Sequence, residues 1–279
     1  MTACASVSAP PTHAADLFVV VDGASLRFRD EGRGPAVLLV HGWTLDLRMW
    51  DPLVSALRDR FRLIRLDRRG HGLSRGMPAP ERDSEDLAAL CRHLRLSRVA
   101  LLGMSQGVRA VIGFARALPG QTYALMLDGP PPLDSAADPE VPLDRYAALV
   151  RTHGMEAFRR EWARHPLTQL RTQDPEVRAL LAAMIARYPG DDLRQPASRA
   201  EVAAGPPGLE SLRVPALIVS GEYDLPARRQ SAEALAARLP DAELAVIPAA
   251  GHLPNLDNPE AYSKVCREFL TRHCPRDTF

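Results

Sequence analysis

A serine stands between two glycines in Gly103-Met104-Ser105-Gln106-Gly107, directly after the apolar run Val99-Ala100-Leu101-Leu102. G-x-S-x-G between a strand and a helix makes a tight turn that lifts the hydroxyl out of the sheet. A Cβ at either glycine position would collide with neighbouring backbone. The residues after it, Val108, Val111, Ile112, Ala115 and Leu118, fall on one helical face, and Pro119-Gly120 stops the helix. A serine hydroxyl is a poor nucleophile until a base takes its proton during attack. Two further segments supply that chemistry. Ser220-Gly221-Glu222-Tyr223-Asp224 follows the apolar run 214–219, and Gly251-His252 follows Leu244-Ala245-Val246-Ile247. An unperturbed imidazole titrates at about 6.5, near neutral pH, so His252 suits the base. A carboxylate must hold its tautomer and stabilise the imidazolium. Asp224 is the expected partner. Glu222 is a weaker candidate, and Asp128, at the end of Leu125-Met126-Leu127, is the alternative acid.

Each of these side chains follows the C-terminal end of a predicted strand, and in a parallel sheet those ends share one edge. Strands are predicted over 17–21, 25–29, 36–40, 61–66, 98–102, 122–127, 214–220 and 243–247. Helices are predicted near 49–59, 83–95, 106–118, 227–239 and 259–273. That alternation gives an α/β chain with a mostly parallel sheet and helices on both faces. The continuously apolar runs at 36–40, 99–102 and 215–219 suit strands covered on both sides. The first two strands, joined at Asp22-Gly23, read as an antiparallel hairpin. Asn258 and Pro259 mark the start of the last helix as N-cap and first helical residue.

The chain order Ser105, Asp224, His252 is that of the α/β-hydrolases and differs from the chymotrypsin and subtilisin orders. Two more segments resemble that superfamily. His41-Gly42-Trp43-Thr44, after an apolar run, is similar to its HG-x oxyanion loop. Asp67-Arg68-Arg69-Gly70-His71-Gly72-Leu73-Ser74 is similar to its D-x-R-G-x-G segment, mainly a structural loop in the family. The resemblance spans about residues 17 to 273 and is weakest over 133–210. It implies the α/β-hydrolase fold, with an eight-stranded sheet and a helical cap. The expected organisation is a disordered leader over 1–16, a core domain over 17–132 and 211–279, and a cap insertion over 133–210. The backbone N–H of Gln106, after the nucleophile, is one expected oxyanion donor. The resemblance implies the N–H of Trp43 as the other.

The segment 133–210 is broken by prolines and shows no strand pattern. Met155, Phe158 and Trp162 fall on one helical face, and Leu180, Leu181, Met184, Ile185 and Tyr188 form a second stripe. Both stripes suit packing against the main domain, and some members could roof a pocket. His41, Met104, Phe158, Trp162, Met184 and Leu253 are the pocket candidates. His41 and His71 also suit hydrogen-bonding roles in their loops.

Composition narrows the function classes. The net charge is +1, from 35 basic and 34 acidic residues without basic blocks, which argues against nucleic acid or an anionic membrane as partner. No apolar run is long enough for a transmembrane helix, and residues 1–15 lack signal-peptide features. Cys4, Cys91, Cys266 and Cys274 match no zinc or CxxC spacing. A cytoplasmic chain with free thiols is expected, with Cys91 and Cys266 as buried helical residues. Neither a metal nor a nucleotide motif occurs, so no cofactor is expected. The expected activity is hydrolysis of a carboxylic ester or lactone through an acyl-enzyme, by a monomer or homodimer. The motif set resembles the small esterases, lactonases and cofactor-free perhydrolases. A carbon–carbon bond hydrolase or lyase-like member is one alternative, and a noncatalytic small-ligand receptor on the same fold is another.

Overall fold

In β3 (Ala36–Val40), Val37 and Leu39 pack on one side of the sheet while Leu38 and Val40 pack on the other. The same alternation holds in β5 (Val99–Met104), β6 (Thr122–Asp128) and β7 (Ala216–Gly221). These central strands are buried on both faces, which is why they read as unbroken apolar runs. The computed structural model describes residues 14–134, 138–194 and 208–274.

Four further strands, β1 (Leu17–Val21), β2 (Ala24–Glu31), β4 (Arg62–Leu66) and β8 (Ala242–Ile247), complete one eight-stranded sheet. Its order is β1-β2-β4-β3-β5-β6-β7-β8. Only β2 runs antiparallel to its neighbours; every other pairing is parallel. The hairpin turns at Asp22-Gly23, where φ is 44° and 78°. Both central residues are left-handed, as a two-residue hairpin turn requires.

One face is covered by α1 (Asp51–Leu57) and α9 (Pro259–His273), the other by α2 (Asp83–His93), α3 (Gln106–Ala117) and α7 (Pro226–Arg238). Asn258 caps α9 by accepting from the Ala261 N–H at 3.2 Å. Between β6 and β7 lie α4 (Leu143–Trp162), α5 (Pro175–Arg187) and α6 (Asp191–Arg194). The first of these is interrupted at Gly154, whose φ of 78° is not helical. A short α8 (Pro254–Asp257) precedes α9.

The expected leader, 1–16, falls mostly outside the described residues. Asp16, expected within it, is instead ion-paired to Arg27 at 2.8 Å and to Arg29 at 2.7 Å. Residues 135–137 and 195–207 of the expected cap, together with Cys4, also lie outside the described residues. Cys91 and Cys266 are buried and free. Burial pushes the Cys91 thiol up to about 12, which makes it inert at neutral pH. Among the described residues no helix is long and apolar enough to cross a membrane.

Register aligns the site. Gly103 sits opposite Val40 and Leu127, and Met104 opposite Asp128. β5 thus runs two residues past its predicted end, directly into Ser105. A Cβ on Gly103 would lie 2.5 Å from the Gly107 carbonyl oxygen, and one on Gly107 would lie 2.5 Å from the Val40 carbonyl oxygen. Backbone cannot yield at such distances without moving β3 or α3. Gly103→Ala is expected to cost about 1–3 kcal/mol by overpacking. Urea unfolding of the variant against the parent measures this.

Candidate active site

Ser105 occupies the turn between β5 and α3 with φ 52° and ψ −117°. This left-handed conformation is rare for a residue with a side chain and costs of order 1–3 kcal/mol. The Ser105 N–H donates to the Asp128 carbonyl at 2.7 Å, which continues the β5–β6 ladder through the strained residue.

After β8, the chain turns back and places His252 beside Asp224, which lies three residues beyond β7. The imidazole Nδ1 lies 2.9 Å from Asp224 Oδ2 and 3.1 Å from Oδ1. Asp224 Oδ1 also accepts from the Leu225 N–H at 2.7 Å. With Nδ1–H directed at the carboxylate, Nε2 is the nitrogen left to take a proton. Both side chains are buried. Ser105 and His252 line the same cavity.

Asp128, the alternative acid, has a different partner. Its Oδ2 is 3.0 Å from the Tyr262 hydroxyl on α9, and its Oδ1 is buried without a partner among the described residues. Burial pushes its carboxyl well above the ordinary range; the Tyr262 hydroxyl opposes this and nearby Asp224 adds to it. Glu222 turns away and accepts from the Ala249 N–H at 2.8 Å.

Trp43 and Gln106 flank the serine. Gln106 opens α3, where a backbone N–H has no intrahelical acceptor. Its side chain is drawn off by Arg68, whose Nη1 donates to Oε1 at 2.7 Å. The Trp43 N–H has no acceptor among the described residues. Uncommitted backbone amides are the kind of group that can stabilise a developing oxyanion.

Of the expected pocket residues, Met104, Trp162 and Leu253 line the cavity. His41, Phe158 and Met184 do not, which corrects the expectation for these three. The His41 Nδ1–H donates to the Gly42 carbonyl at 2.7 Å, while its Nε2 accepts from the Arg68 N–H at 2.9 Å. Both ring nitrogens are thus spent on the loops. Phe158 lies behind the cavity wall, its ring 5.6 Å from Trp43 and stacked 6.3 Å from Trp162. Met184 is packed in the core beneath the same helices. Sequence reasoning missed Gly42, Thr44, Leu45, Val141, Leu167 and Thr168 as lining residues. Gly42 and Thr44 lay inside a motif already recognised; the others carry no periodic or motif signal.

The D-x-R-G-x-G segment is a scaffold. Asp67 accepts from the N–H groups of Leu47 and Leu73, each at 2.7 Å, and from Arg27 at 3.1 Å. His71 donates from Nδ1 to the Arg69 carbonyl at 3.1 Å, and its Nε2 is buried without a partner. Among the described residues no cluster of three or more His, Cys, Asp or Glu could hold a metal.

Burial, reinforced by Arg68, holds His41 and His71 neutral, with pKa values lowered to about 3. An unfolded imidazole protonates near 6.5, so below that pH the unfolded chain holds more protons than the folded one. Each histidine therefore contributes stability that is present at neutral pH. It is lost as pH falls, by about 1.4 kcal/mol per pH unit. His71→Gln is expected to reduce the slope of unfolding free energy against pH by that amount between about pH 6 and about pH 4.5. Urea titrations at several pH values check the slope.

Comparison with known proteins agrees with the geometry. A 2-(acetamidomethylene)succinate hydrolase from Mesorhizobium japonicum is 32% identical over 282 residues, covering 88% of this chain and 91% of the relative. A thermophilic esterase from Thermogutta terrifontis superposes with a TM-score of 0.81 at 31% identity, covering 93% of this chain and 100% of that one. An enol-lactonase from Burkholderia xenovorans superposes with a TM-score of 0.80 at 27% identity, covering 91% and 100%. Residues 37–265 match the profile of the Alpha/beta hydrolase family. The sheet order, the strained serine turn and this match lead to one conclusion: the chain belongs to the alpha/beta hydrolase family.

Proposed function

We propose that this chain is a serine hydrolase acting on a small, uncharged carboxylic ester or lactone through an acyl-enzyme intermediate. The observation that carries this reading is the pairing of His252 with Asp224, in a cavity that His252 shares with a serine in the elbow conformation. Ser105 Oγ attacks the carbonyl carbon as His252 Nε2 takes its proton. The carbonyl oxygen becomes an oxyanion that accepts from the N–H groups of Trp43 and Gln106. His252 then gives the proton to the leaving alkoxide, which departs as the alcohol, or stays tethered in a lactone. Water, deprotonated by the same nitrogen, attacks the acyl carbon and restores Ser105. Asp224 stays ionised and supports the imidazolium throughout.

The lining supports the substrate class. Trp43, Leu45, Met104, Val141, Trp162, Leu167 and Leu253 are apolar, and among the described residues no Asp, Glu, Lys or Arg lines the cavity. Of its two threonine hydroxyls, one donates within the helices and the other accepts from an indole. Thr44 accepts from the Trp162 indole at 2.7 Å, and Thr168 donates to the Trp162 carbonyl at 2.6 Å. A carboxylate on the acyl group would therefore enter without a counter-charge, at a desolvation cost the cavity does not offset. The α4–α6 segment, which contributes Trp162, acts in this reading as the cap over the cavity.

For p-nitrophenyl esters, kcat/KM is expected to be highest for acetyl or butyryl groups and to fall for long acyl chains. Ser105→Ala should abolish both turnover and labelling by a fluorophosphonate. Labelling that survives in that variant would refute the nucleophile. Asp224→Asn is expected to lower kcat by on the order of 10³–10⁴-fold. Asp128→Asn should lower it far less, and steady-state kinetics on one ester rank the two; the reverse ranking would give the acid's role to Asp128.

A further inference from the structure

The loop that follows β3 carries a cost of its own. Thr44 has a φ of 62°, a left-handed conformation that is strained for a β-branched residue. Such strain persists only where surrounding contacts over-determine it. The residue before it is Trp43, whose backbone N–H is the proposed second oxyanion donor. The contacts that hold these two residues from outside the sheet come from the helices between β6 and β7. The Trp43 indole N–H is shared between the Tyr188 hydroxyl at 2.8 Å and Asp192 Oδ2 at 2.9 Å. The Tyr188 hydroxyl in turn donates to Asp192 Oδ1. On the other side, the Trp162 indole N–H donates to Thr44 Oγ1 at 2.7 Å. Tyr188 follows α5, Asp192 lies in α6, and Trp162 ends α4, so three separate pieces of the helical segment grip two consecutive residues.

Most of the grip is dry. Trp43, Thr44, Trp162 and Tyr188 are buried and Asp192 is half-buried, and the Trp43 ring lies 4.9 Å from Trp162 and 5.7 Å from Tyr188. In such surroundings an unmade hydrogen bond costs the full desolvation of the group left behind. The loop therefore has little freedom to rotate its peptide while these bonds hold.

We propose that Tyr188, Asp192 and Trp162 are positioning residues for the oxyanion site, holding the Trp43–Thr44 peptide so that the Trp43 N–H meets the developing negative oxygen. The proposal rests on the ester-hydrolase reading above. In it the helices that cover the cavity and the site that stabilises charge form one mechanical unit. Tyr188, Asp192 and Trp162 act through Trp43 and Thr44 and touch no reacting atom in this role.

The test uses the full chain and four single variants. Tyr188→Phe removes one hydroxyl. Trp43→Phe removes the indole N–H and keeps the backbone amide. Asp192→Ala removes the carboxylate, and Asp192→Asn restores an acceptor. Each is assayed for kcat and KM on a short p-nitrophenyl ester. Each is also assayed for affinity toward a trifluoromethyl ketone, which forms a serine hemiketal with an oxyanion. Because a misplaced catalytic group can cost on the order of 10²-fold, Tyr188→Phe and Asp192→Ala are expected to lose up to that factor in kcat. KM should change little, ketone affinity should fall in parallel with kcat, and Asp192→Asn should recover part of the loss. Trp43→Phe combined with Tyr188→Phe should lose no more than Trp43→Phe alone, because the bond that Tyr188→Phe breaks is already gone. A merely structural role would lower the melting temperature without this parallel. The proposal is overturned if folded Tyr188→Phe and Trp43→Phe keep parental kcat and ketone affinity, or if their losses multiply. Should Tyr188→Phe not fold, the same comparison in Trp43→Phe decides. Persistent turnover in Ser105→Ala marks failure of the ester-hydrolase reading instead, which separates the two.

Discussion

Everything at the site depends on holding one residue in a conformation it would not choose. Ser105 sits at φ 52° because its neighbours leave no other path. The β5–β6 register passes through it by the bond from its N–H to the Asp128 carbonyl, 2.7 Å long. Gly103 and Gly107 allow α3 to start immediately, pressed against the last carbonyls of β3. Burial of both sheet faces supplies the free energy that keeps the strain in place. The apolar sides of β3, β5, β6 and β7 lie in two separate cores, one under α1 and α9 and one under α2, α3 and α7. Slippage by one residue would exchange those faces and dismantle both.

The loops beyond the strand ends need a different kind of support, because they have no ladder. Buried polar groups give it. Asp67 ties three segments through Leu47, Leu73 and Arg27. Arg68 ties three more through Asp83 at 2.9 Å, the Gln106 amide at 2.7 Å and its own N–H to His41 at 2.9 Å. Such groups contribute less to net stability than their number suggests, since each has been taken out of water. Their effect is geometric. They fix the paths of the loops that bring Trp43 and Gln106 to one place, and they hold His41 and His71 neutral beside a cation.

The sequence made the fold and the reactive groups legible for one reason: both are encoded locally. A strand's apolar run, a following glycine and a reactive side chain within a few residues are enough to put Ser105, Asp224 and His252 on one sheet edge. The pocket is not encoded that way. Phe158 and Trp162 share a helical face, yet only Trp162 reaches the cavity, because Phe158 packs behind the Trp43 and Trp162 rings. Leu45, Val141, Leu167 and Thr168 line it from irregular segments where no period marks which way a side chain points. His41 lies in a recognisable motif, but its partner is a backbone amide 27 residues away that no spacing rule reveals. Tyr262, which occupies Asp128, is 134 residues distant.

That last pair explains how the fold keeps two carboxyl groups near one imidazole without confusion. Two carboxylates in one buried neighbourhood do not both ionise unless each has its own compensation. Asp224 has it: a backbone N–H at 2.7 Å and the imidazole Nδ1 at 2.9 Å. Asp128 has the neutral hydroxyl of Tyr262 on one oxygen and, among the described residues, no partner on the other, in complete burial. Burial therefore pushes the Asp128 carboxyl well above the ordinary range, while the residue that touches His252 is the one whose oxygens have donors. Both acids stand at adjacent strand ends, so strand position alone cannot choose between them. The choice is made by what each oxygen can accept, and α9 makes it by offering Tyr262 to one and leaving the other to the histidine.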